Sequence, residues 1–453
     1  MTKKTIGAII LAAGKGTRMK SDLHKVLHPV GGRPMLLTLM DTLKKLDTAR
    51  KVVIVGAGRE QVEAAVSAED ANVSFALQEP QLGTGHAVMC GREAMQDMDG
   101  DTLILYGDVP LIKAETLEEM IRVRRASCEG GKAPSAVVLG FTPKDAAAYG
   151  RLVTKADGSL ESIVEYKDAS DDERAITLCN SGIMCVDNSL LFSMLDDVNN
   201  DNAAKEYYLT DLVAVARGRG LGVAVVETSV QEVMGINSRA ELADAEKLFQ
   251  NRARRAAMDG GASMTDPDSV FLNYDTVIGR DVMIEPNVVF GPGVTVADGA
   301  IIYAFSHLEG ASVGKNTKIG PFARLRPGTV VEEGAKIGNY VEVKKSIIEA
   351  GAKVNHFTYI GDARIGEKAN IGAGTITCNY DGFNKYKTDI GAGAFIGSNS
   401  SLVAPVTIGD GAIVGAGSVI TGKVAADALA VTRADQKEKA GWAARFRKAK
   451  QKK

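Results

Sequence analysis

Long apolar runs, an excess of either charge and paired cysteines are all missing from this 453-residue sequence, and each absence removes a class of protein. The opening apolar stretch, Ile6 to Ala13 behind the basic start Met1-Thr2-Lys3-Lys4-Thr5, is too short to cross a membrane and reads as a buried first strand. A net charge of −2 and a pI of about 6.3 give no global reason to expect a nucleic-acid or membrane partner. The five cysteines, Cys90, Cys128, Cys179, Cys185 and Cys378, are scattered and lack the short paired spacings of a zinc site, so they read as reduced thiols of a cytoplasmic protein. The length exceeds one ordinary core, and two or three domains are expected.

What the sequence does have is a period of six. From Ile278 an apolar residue returns at Ile284, Phe290, Val296, Ile302 and Leu308, then from Val313 to Val343, from Ile348 to Ile371, and from Ile390 to Ile420. Small residues, often Gly, commonly follow it, as in Ile319-Gly320 and Ile396-Gly397. Six is neither the helical nor the simple strand period, whereas short strands joined by tight turns and stacked coil on coil account for it. The expectation is a solenoid of parallel strands around an apolar prism. Such a prism can be purely structural, but its slips argue otherwise. Between Ile371 and Ile390 lies Thr377-Cys378-Asn379-Tyr380-Asp381-Gly382-Phe383-Asn384-Lys385-Tyr386-Lys387, which a solenoid must expel as a loop, and such loops are where repeat proteins build sites.

The N-terminal half reads differently. Ile6 to Leu11 ends at Ala12-Ala13-Gly14-Lys15-Gly16-Thr17-Arg18-Met19, and further candidate strands at Lys51–Val55, Val73–Leu77, Thr102–Tyr106 and Ala136–Gly140 alternate with helical patterns at Pro34–Leu46, Arg59–Ser67 and Thr116–Arg125. That alternation predicts an α/β domain with a mostly parallel sheet. Met19 stands where a dinucleotide fingerprint needs a third Gly or Ala, and the spacing before Gly14-Lys15 is wrong for a P-loop. What remains is a glycine turn whose N–H groups can approach phosphate, with Lys15, Arg18 and Lys25 supplying charge, or else a tight structural turn with solvated bases. Asp108, just past the strand ending at Tyr106, suits a Mg²⁺ ligand or a turn cap. Ser238 to Met258, rich in helix formers and closed by Gly260-Gly261, predicts a long linking helix.

Leu11 to Met19 followed by Lys25-Val26-Leu27 resembles the signature of sugar-1-phosphate nucleotidyltransferases. Gln81-Leu82-Gly83-Thr84-Gly85-His86-Ala87, Tyr106-Gly107-Asp108-Val109-Pro110, Ile163-Val164-Glu165 and Gly235-Ile236-Asn237 resemble its later motifs, in the same order. The hexapeptide array resembles the left-handed parallel β-helix of acyltransferases. Together they make nearly the whole chain similar to the bacterial family that joins N-acetylglucosamine-1-phosphate uridyltransferase to glucosamine-1-phosphate acetyltransferase. That family supplies UDP-N-acetylglucosamine for cell-wall and lipopolysaccharide precursors. The resemblance implies a Rossmann-like nucleotidyltransferase domain at 1–232, a linker with a long helix at 233–262 and a left-handed β-helix with a basic tail at 263–453.

The resemblance also implies roles. Leu11, Ala12, Ala13, Gly14 and Lys25 would hold the nucleotide, Gln78, Gly83 and Thr84 would read uracil, and Tyr106, Gly107, Gly150, Glu165 and Asn180 would line the UDP-N-acetylglucosamine site. Asp108 and Asn237 would hold Mg²⁺. His86 reads as structural. In the array, Asn355-His356-Phe357-Thr358-Tyr359 carries an imidazole suited to take a proton from an attacking amine, although a lone His on a repeat protein is often a turn or core residue. By resemblance His356 is the base, Arg326, Lys344, Tyr359 and Asn370 bind glucosamine-1-phosphate, and Ala373, Asn379, Tyr380, Ser398, Ala416 and Arg433 bind acetyl-CoA, with Lys385 reaching over. Stacking of coils is expected to bring Arg326 and Lys344 alongside His356. One departure stands out, since the family usually has Pro where His24 precedes Lys25. The tail from Arg433 carries nine Lys or Arg against two acids. With few aromatics and no nucleic-acid fold, it is expected to pack on a neighbouring subunit of a homotrimer, Trp442 as anchor.

Overall fold

The computed structural model describes residues 4–126, 133–146, 149–202 and 204–451, so Cys128 lies outside the described residues. The chain forms two compact units, 1–250 and 251–453, divided within the long helix.

In the first unit, β1 (Thr5–Leu11), α1 (Met35–Lys45), β2 (Arg50–Val55), α2 (Arg59–Ser67), β3 (Val73–Leu77), α3 (Thr84–Cys90), β4 (Gly100–Tyr106), α4 (Ala114–Arg125) and β5 (Ala136–Phe141) follow the predicted alternation to within a few residues. A hairpin of β6 (Arg151–Thr154) and β7 (Leu160–Val164) precedes β8 (Cys179–Asp187) and β9 (Val223–Thr228). The sheet order is β9-β5-β8-β4-β1-β2-β3, parallel except for β8, which runs antiparallel to both neighbours. The central strands are near-continuous apolar runs because helices cover both faces, and the interior of β1 and all of β4 but its last residue are buried. The register of β8 breaks between Asn180 and Met184, a bulge that re-aims Asn180 and Gly182. The helix α5 (Arg239–Asp259) occupies the predicted linker.

The second unit is the prism. Its three faces are parallel sheets of ten, eight and eight strands, met by the chain in the order first, second, third from Ser263–Met264 onward. Each strand pairs with the one a full coil later, as Lys336↔Lys353 and Ile337↔Val354 do on the first face. The hexad column points inward throughout, and every member from Ile284 to Ile420 is buried. One member breaks the apolar pattern, Thr377, a fully buried polar residue at the column position just before the inserted loop.

The slips share one place. From Ile278 to Ile420, every step from the third to the first face and from the first to the second keeps six residues; only the first coil differs, with eight from Met264 to Leu272. One residue is missing between Leu308 and Val313, Val343 and Ile348, and Ile360 and Ile365, and the insertion lies between Thr377 and Ile390, always on the edge from the second face to the third. The first-to-second edge instead carries a ladder of exposed rings, Phe305, Phe322, Tyr340 and Phe357, stacked at 4.9, 5.0 and 5.0 Å between centroids. All four adopt positive φ, between 48° and 60°, which bulky residues normally avoid. Their mutual stacking helps hold these corners.

Leu325 is fully buried in the column. Its replacement by Ala removes a stacked side chain between two coils and is expected to cost about 2–5 kcal/mol. Equilibrium urea unfolding checks this, and an unchanged midpoint would mean that the column is not the core of the prism.

Candidate active sites

The head site is assembled by backbone bonds between distant motifs. Gly107 N–H donates to Leu11 O at 3.0 Å and Ile236 N–H donates to Asp108 O at 3.0 Å, so the ends of β1 and β4 and the start of α5 meet at the carboxyl edge of the sheet. The Asn237 N–H donates to the Glu241 carboxylate at 2.6 Å, which fixes the segment entering the helix. The Lys25 ammonium lies between the two expected metal ligands, 2.5 Å from Asp108 Oδ2 and 3.1 Å from Asn237 Oδ1. Two hard oxygens that converge on one cation fit Mg²⁺, which takes one or two protein oxygens and fills its shell with water and phosphate. Among the described residues no cluster of three His, Cys, Asp or Glu could hold a metal.

Gly16 is required at this point. Its φ is +60°, and a Cβ there would fall 2.5 Å from the Lys25 Cβ, so the turn lets Lys25 lie against it.

Two cavities adjoin here. One, of about 340 Å³, is lined by Leu11 to Gly14, Lys25, Gln78, Gly83, Thr84, Tyr106 and Asp108. The other, of about 1030 Å³, is lined by Thr84, Tyr106, Gly150, Glu165 and Asn180. Tyr106 and Thr84 belong to both, and the Tyr106 ring packs where a Gly182 Cβ would be. Burial pushes the Tyr106 phenol well above its usual value, with Asp108 and Glu165 adding to it. Glu165 is also raised, first by burial and then by Asp168 and Asp211. The expected head residues therefore line this pair of cavities, except Gly107 and Asn237, which stand beside them through the bonds above. Gln78 Nε2 donates to Gly83 O at 2.9 Å and lies 3.4 Å from His86 Nδ1, a structural setting for His86.

Sequence reasoning missed Gln81, whose amide donates to Ala13 O, although it opens the Gln81–Ala87 motif. It also missed Glu206, which lines both cavities, and the Tyr207 backbone, which pairs with Leu82 and Gly85. No local signal marked them.

His24, the departure, has a clear setting. Its N–H donates to Gln61 Oε1 at 2.9 Å, and Gln61 Nε2 returns to Asp22 O at 2.9 Å, so α2 steadies the loop that carries Lys25. The ring is buried with no partner on either nitrogen. Burial, then Lys25 and His28, hold its pKa below the ordinary value.

On the prism, His356 stands at the first-to-second edge. Asn339 is its coil neighbour below, and Ala373, Ser398 and Ala416 occupy the same hexad position in the coils above, with the Arg433 guanidinium donating to Ala416 O at 2.7 Å. Gly374 N–H donates to His356 O and Asn399 N–H to Ala373 O, which makes this column continuous. Four of the expected acetyl-CoA residues, Ala373, Ser398, Ala416 and Arg433, thus share one edge with His356, whereas Asn379 and Tyr380, contrary to expectation, leave the second face at its other edge, where Asn379 bonds Asp362.

Arg326 and Lys344 do not lie alongside His356, contrary to expectation. Stacking keeps a residue on its own edge, and theirs is the second-to-third edge, the far side of the second face. There Lys344 pairs in register with Gly361 and touches Lys385. The Lys385 ammonium, followed by Arg326, holds Lys344 below its ordinary pKa, with Asp362 opposing. Three cations gathered at one edge suit an anion, tempered by a 2.7 Å pair from Arg326 to Glu342. Tyr359 lies between, its hydroxyl next to Gly361. Asn370 sits on the first face.

Thr377 explains how the loop leaves the prism. Its hydroxyl accepts from Gly361 N–H at 2.8 Å, where the strand ladder would otherwise present a carbonyl, and the Thr377 carbonyl turns to accept from Asn379 N–H at 2.9 Å. Asn379 Nδ2 donates to Asp362 Oδ2 at 2.6 Å, the Tyr380 hydroxyl donates to Gly382 O, and Asp381 accepts from the Phe383 and Asn384 N–H groups. The loop closes on itself and projects Lys385. The terminal helix Trp442–Lys450 is exposed along its length, with Trp442 stacked on Phe446 at 5.1 Å.

A nucleotidyltransferase head and a hexapeptide-repeat transferase prism are thus joined in one two-domain transferase. Residues 8–153 match the MobA-like NTP transferase domain, and residues 275–310, 310–345 and 387–422 match the bacterial transferase hexapeptide (six repeats). The chain is 60% identical to the bifunctional protein GlmU of Rhizorhabdus wittichii over 449 residues, covering 99% of this chain and 98% of that protein. It is 57% identical to the same protein of Sphingopyxis alaskensis over 448 residues, covering 99% and 98%. For Paramagnetospirillum magneticum the figure is 55% over 447 residues, with the same coverage. The chain belongs to the bifunctional GlmU family.

Acidification should expose the strain at His24. Above about pH 6.5 the imidazole is neutral in both folded and unfolded chains, and as pH falls the unfolded chain takes the proton first, so stability declines toward the lowered folded value. His24→Leu removes two orphaned nitrogens and is expected to gain about 1 kcal/mol at neutral pH and more at pH 5.5. Thermal melts across this range check it, and parallel curves for the two proteins would contradict it.

Proposed function

We propose that the prism transfers the acetyl group of acetyl-CoA to the amine of glucosamine-1-phosphate, and that the head then joins the N-acetylated product to UMP from UTP with release of pyrophosphate. The observation that carries the uridyl half is the pair of adjoining cavities sharing Thr84 and Tyr106, with Asp108 lining the smaller one. One suits the nucleoside, the other the sugar, and the reacting phosphates fall at the border. No protein nucleophile is needed; alignment of the sugar phosphate oxygen with the α-phosphorus, and charge placed around it, supply the catalysis. Asp108 and Asn237 would hold Mg²⁺, which neutralises charge on the leaving pyrophosphate. Lys25, already beside them, offers an ammonium to the same phosphates.

In the acetyl half, the small residues above His356 leave room along the edge for the thioester arm of acetyl-CoA, and Arg433 suits its phosphates. His356 takes the proton as the amine nitrogen bonds to the acetyl carbon; the C–S bond then breaks and the CoA thiolate leaves. Arg326, Lys344 and Lys385 would hold the sugar phosphate. Because a full face separates them from His356, a neighbouring copy packed on this edge, as in a homotrimer, would enclose the substrate; the exposed ring ladder and terminal helix support such packing. Four free thiols among the described residues fit a reducing cytoplasm, where these co-substrates are made.

Single substitutions should separate the activities. Asp108→Ala is expected to lower pyrophosphate release at least about 100-fold while CoA release persists, and His356→Ala to do the reverse, by about 10²–10⁴. Separate assays on one preparation, CoA release from glucosamine-1-phosphate and pyrophosphate release from supplied N-acetylglucosamine-1-phosphate, check this. Loss of both activities from either variant, or of neither, would overturn the assignment.

A further inference from the structure

His356 can act as a base only if one ring nitrogen carries a lone pair toward the amine, and which nitrogen does so is decided by what the other one bonds. In this chain Nδ1 lies 2.8 Å from the Asn339 side-chain oxygen. A carboxamide oxygen only accepts, so Nδ1 must carry the hydrogen and Nε2 the lone pair. We propose that Asn339 is a positioning residue for acetyl transfer, fixing His356 as the tautomer whose Nε2 is the base.

The fold builds this pair deliberately. Asn339 and His356 occupy the same hexad position one coil apart and are in register, and the backbone joins them through Phe357 N–H to Asn339 O at 3.1 Å. The following residues, Tyr340 and Phe357, both at positive φ, stack at 5.0 Å, so the two corners cannot slide past each other without breaking a ring contact. Thr358 Oγ1 donates to His356 O at 2.7 Å and pins the main chain from the other side. Above His356 the column offers only the methyl group of Ala373, so among its column neighbours Asn339 alone has a side chain that can accept from the ring. Without it, the imidazole is free to take the Nε2–H form, which presents a donor where a base is needed.

The inference rests on the acetyl-transfer reading, and its test separates the two. Full-length Asn339→Leu and Asn339→Asp are compared with the parent and with His356→Ala. Asn339→Leu keeps the side-chain bulk but removes the acceptor, and kcat for acetyl transfer is expected to fall roughly tenfold to hundredfold while KM for glucosamine-1-phosphate and acetyl-CoA stays within about twofold. Uridyl transfer, unchanged, reports that the first unit is folded, and an unshifted urea-unfolding midpoint reports the same of the prism. Asn339→Asp restores an acceptor, so kcat recovers to within a few-fold and the acid limb of the pH profile moves upward, because a carboxylate favours the protonated ring. Independently of turnover, ¹⁵N-histidine NMR reads the tautomer directly. The chain has five histidines, and His356→Ala identifies the resonance. The parent should show Nδ1–H, and Asn339→Leu a shift toward Nε2–H. An unchanged tautomer and kcat in Asn339→Leu, a loss confined to KM, or an Asp variant as slow as the Leu variant would overturn the assignment. Undiminished acetyl transfer by His356→Ala would instead overturn the reading of the base, and the NMR arm would still report on the pair.

Discussion

Each coil of the prism must land its inward side chain on the one below, and that single packing requirement governs where the rest of the second unit can vary. The column is fully buried and close-packed, so a coil that gains or loses a residue must make up the difference at a corner without turning its strands inside out. Between Ile278 and Ile420 two edges never do so. The third absorbs every omission and the insertion, and it is there that Arg326, Lys344, Asp362 and the Lys385 loop gather. The strict first-to-second edge serves another purpose. Its constant step stacks Asn339, His356, Ala373, Ser398 and Ala416 in one line, with the imidazole below three small residues. Variation and precision are divided between edges of one prism.

The head follows a different rule with a similar outcome. A mostly parallel sheet presents the ends of its strands along one edge, and loops from distant sequence positions meet there because the strands place them side by side. Lys25, Asp108 and Asn237 come from three separate motifs, yet one ammonium reaches both oxygens. The antiparallel strand Cys179–Asp187 adds a wall of the larger cavity, where Asn180 and Gly182 line it at the bulge and Gly182 lies against the Tyr106 ring.

Much of this was legible from residue order. The hexad column and the alternation of strands and helices in the head follow from spacing, and most of the smaller cavity's lining from the family resemblance, whereas most of the larger cavity's lining, such as Tyr166, Asp201 and Tyr208, carried no motif. Thr377 escaped because a polar residue in an apolar column looks like an interruption, whereas its hydroxyl substitutes for a backbone acceptor and launches the loop. Asn339 escaped because an asparagine at a corner is what tight turns use anyway. The placement of Arg326 and Lys344 beside His356 failed for a readable reason. They follow column residues of the second face, Leu325 and Val343, whereas His356 follows Val354 of the first, and stacking never moves a residue between edges. Glu206 and Tyr207 carried no local pattern, because their role depends on a long-range approach to Leu82 and Gly83.

The division of labour between the edges is tested most directly by a matched pair of one-glycine insertions, compared by urea unfolding of the full chain. An insertion after Glu309 gives the permissive edge back the residue missing between Leu308 and Val313, and should leave the prism within about 1 kcal/mol of the parent. The same insertion after Glu333, on the edge from the third face to the first, forces a seventh residue into a six-residue step and should lose several times as much. Equal losses at the two positions would contradict the account.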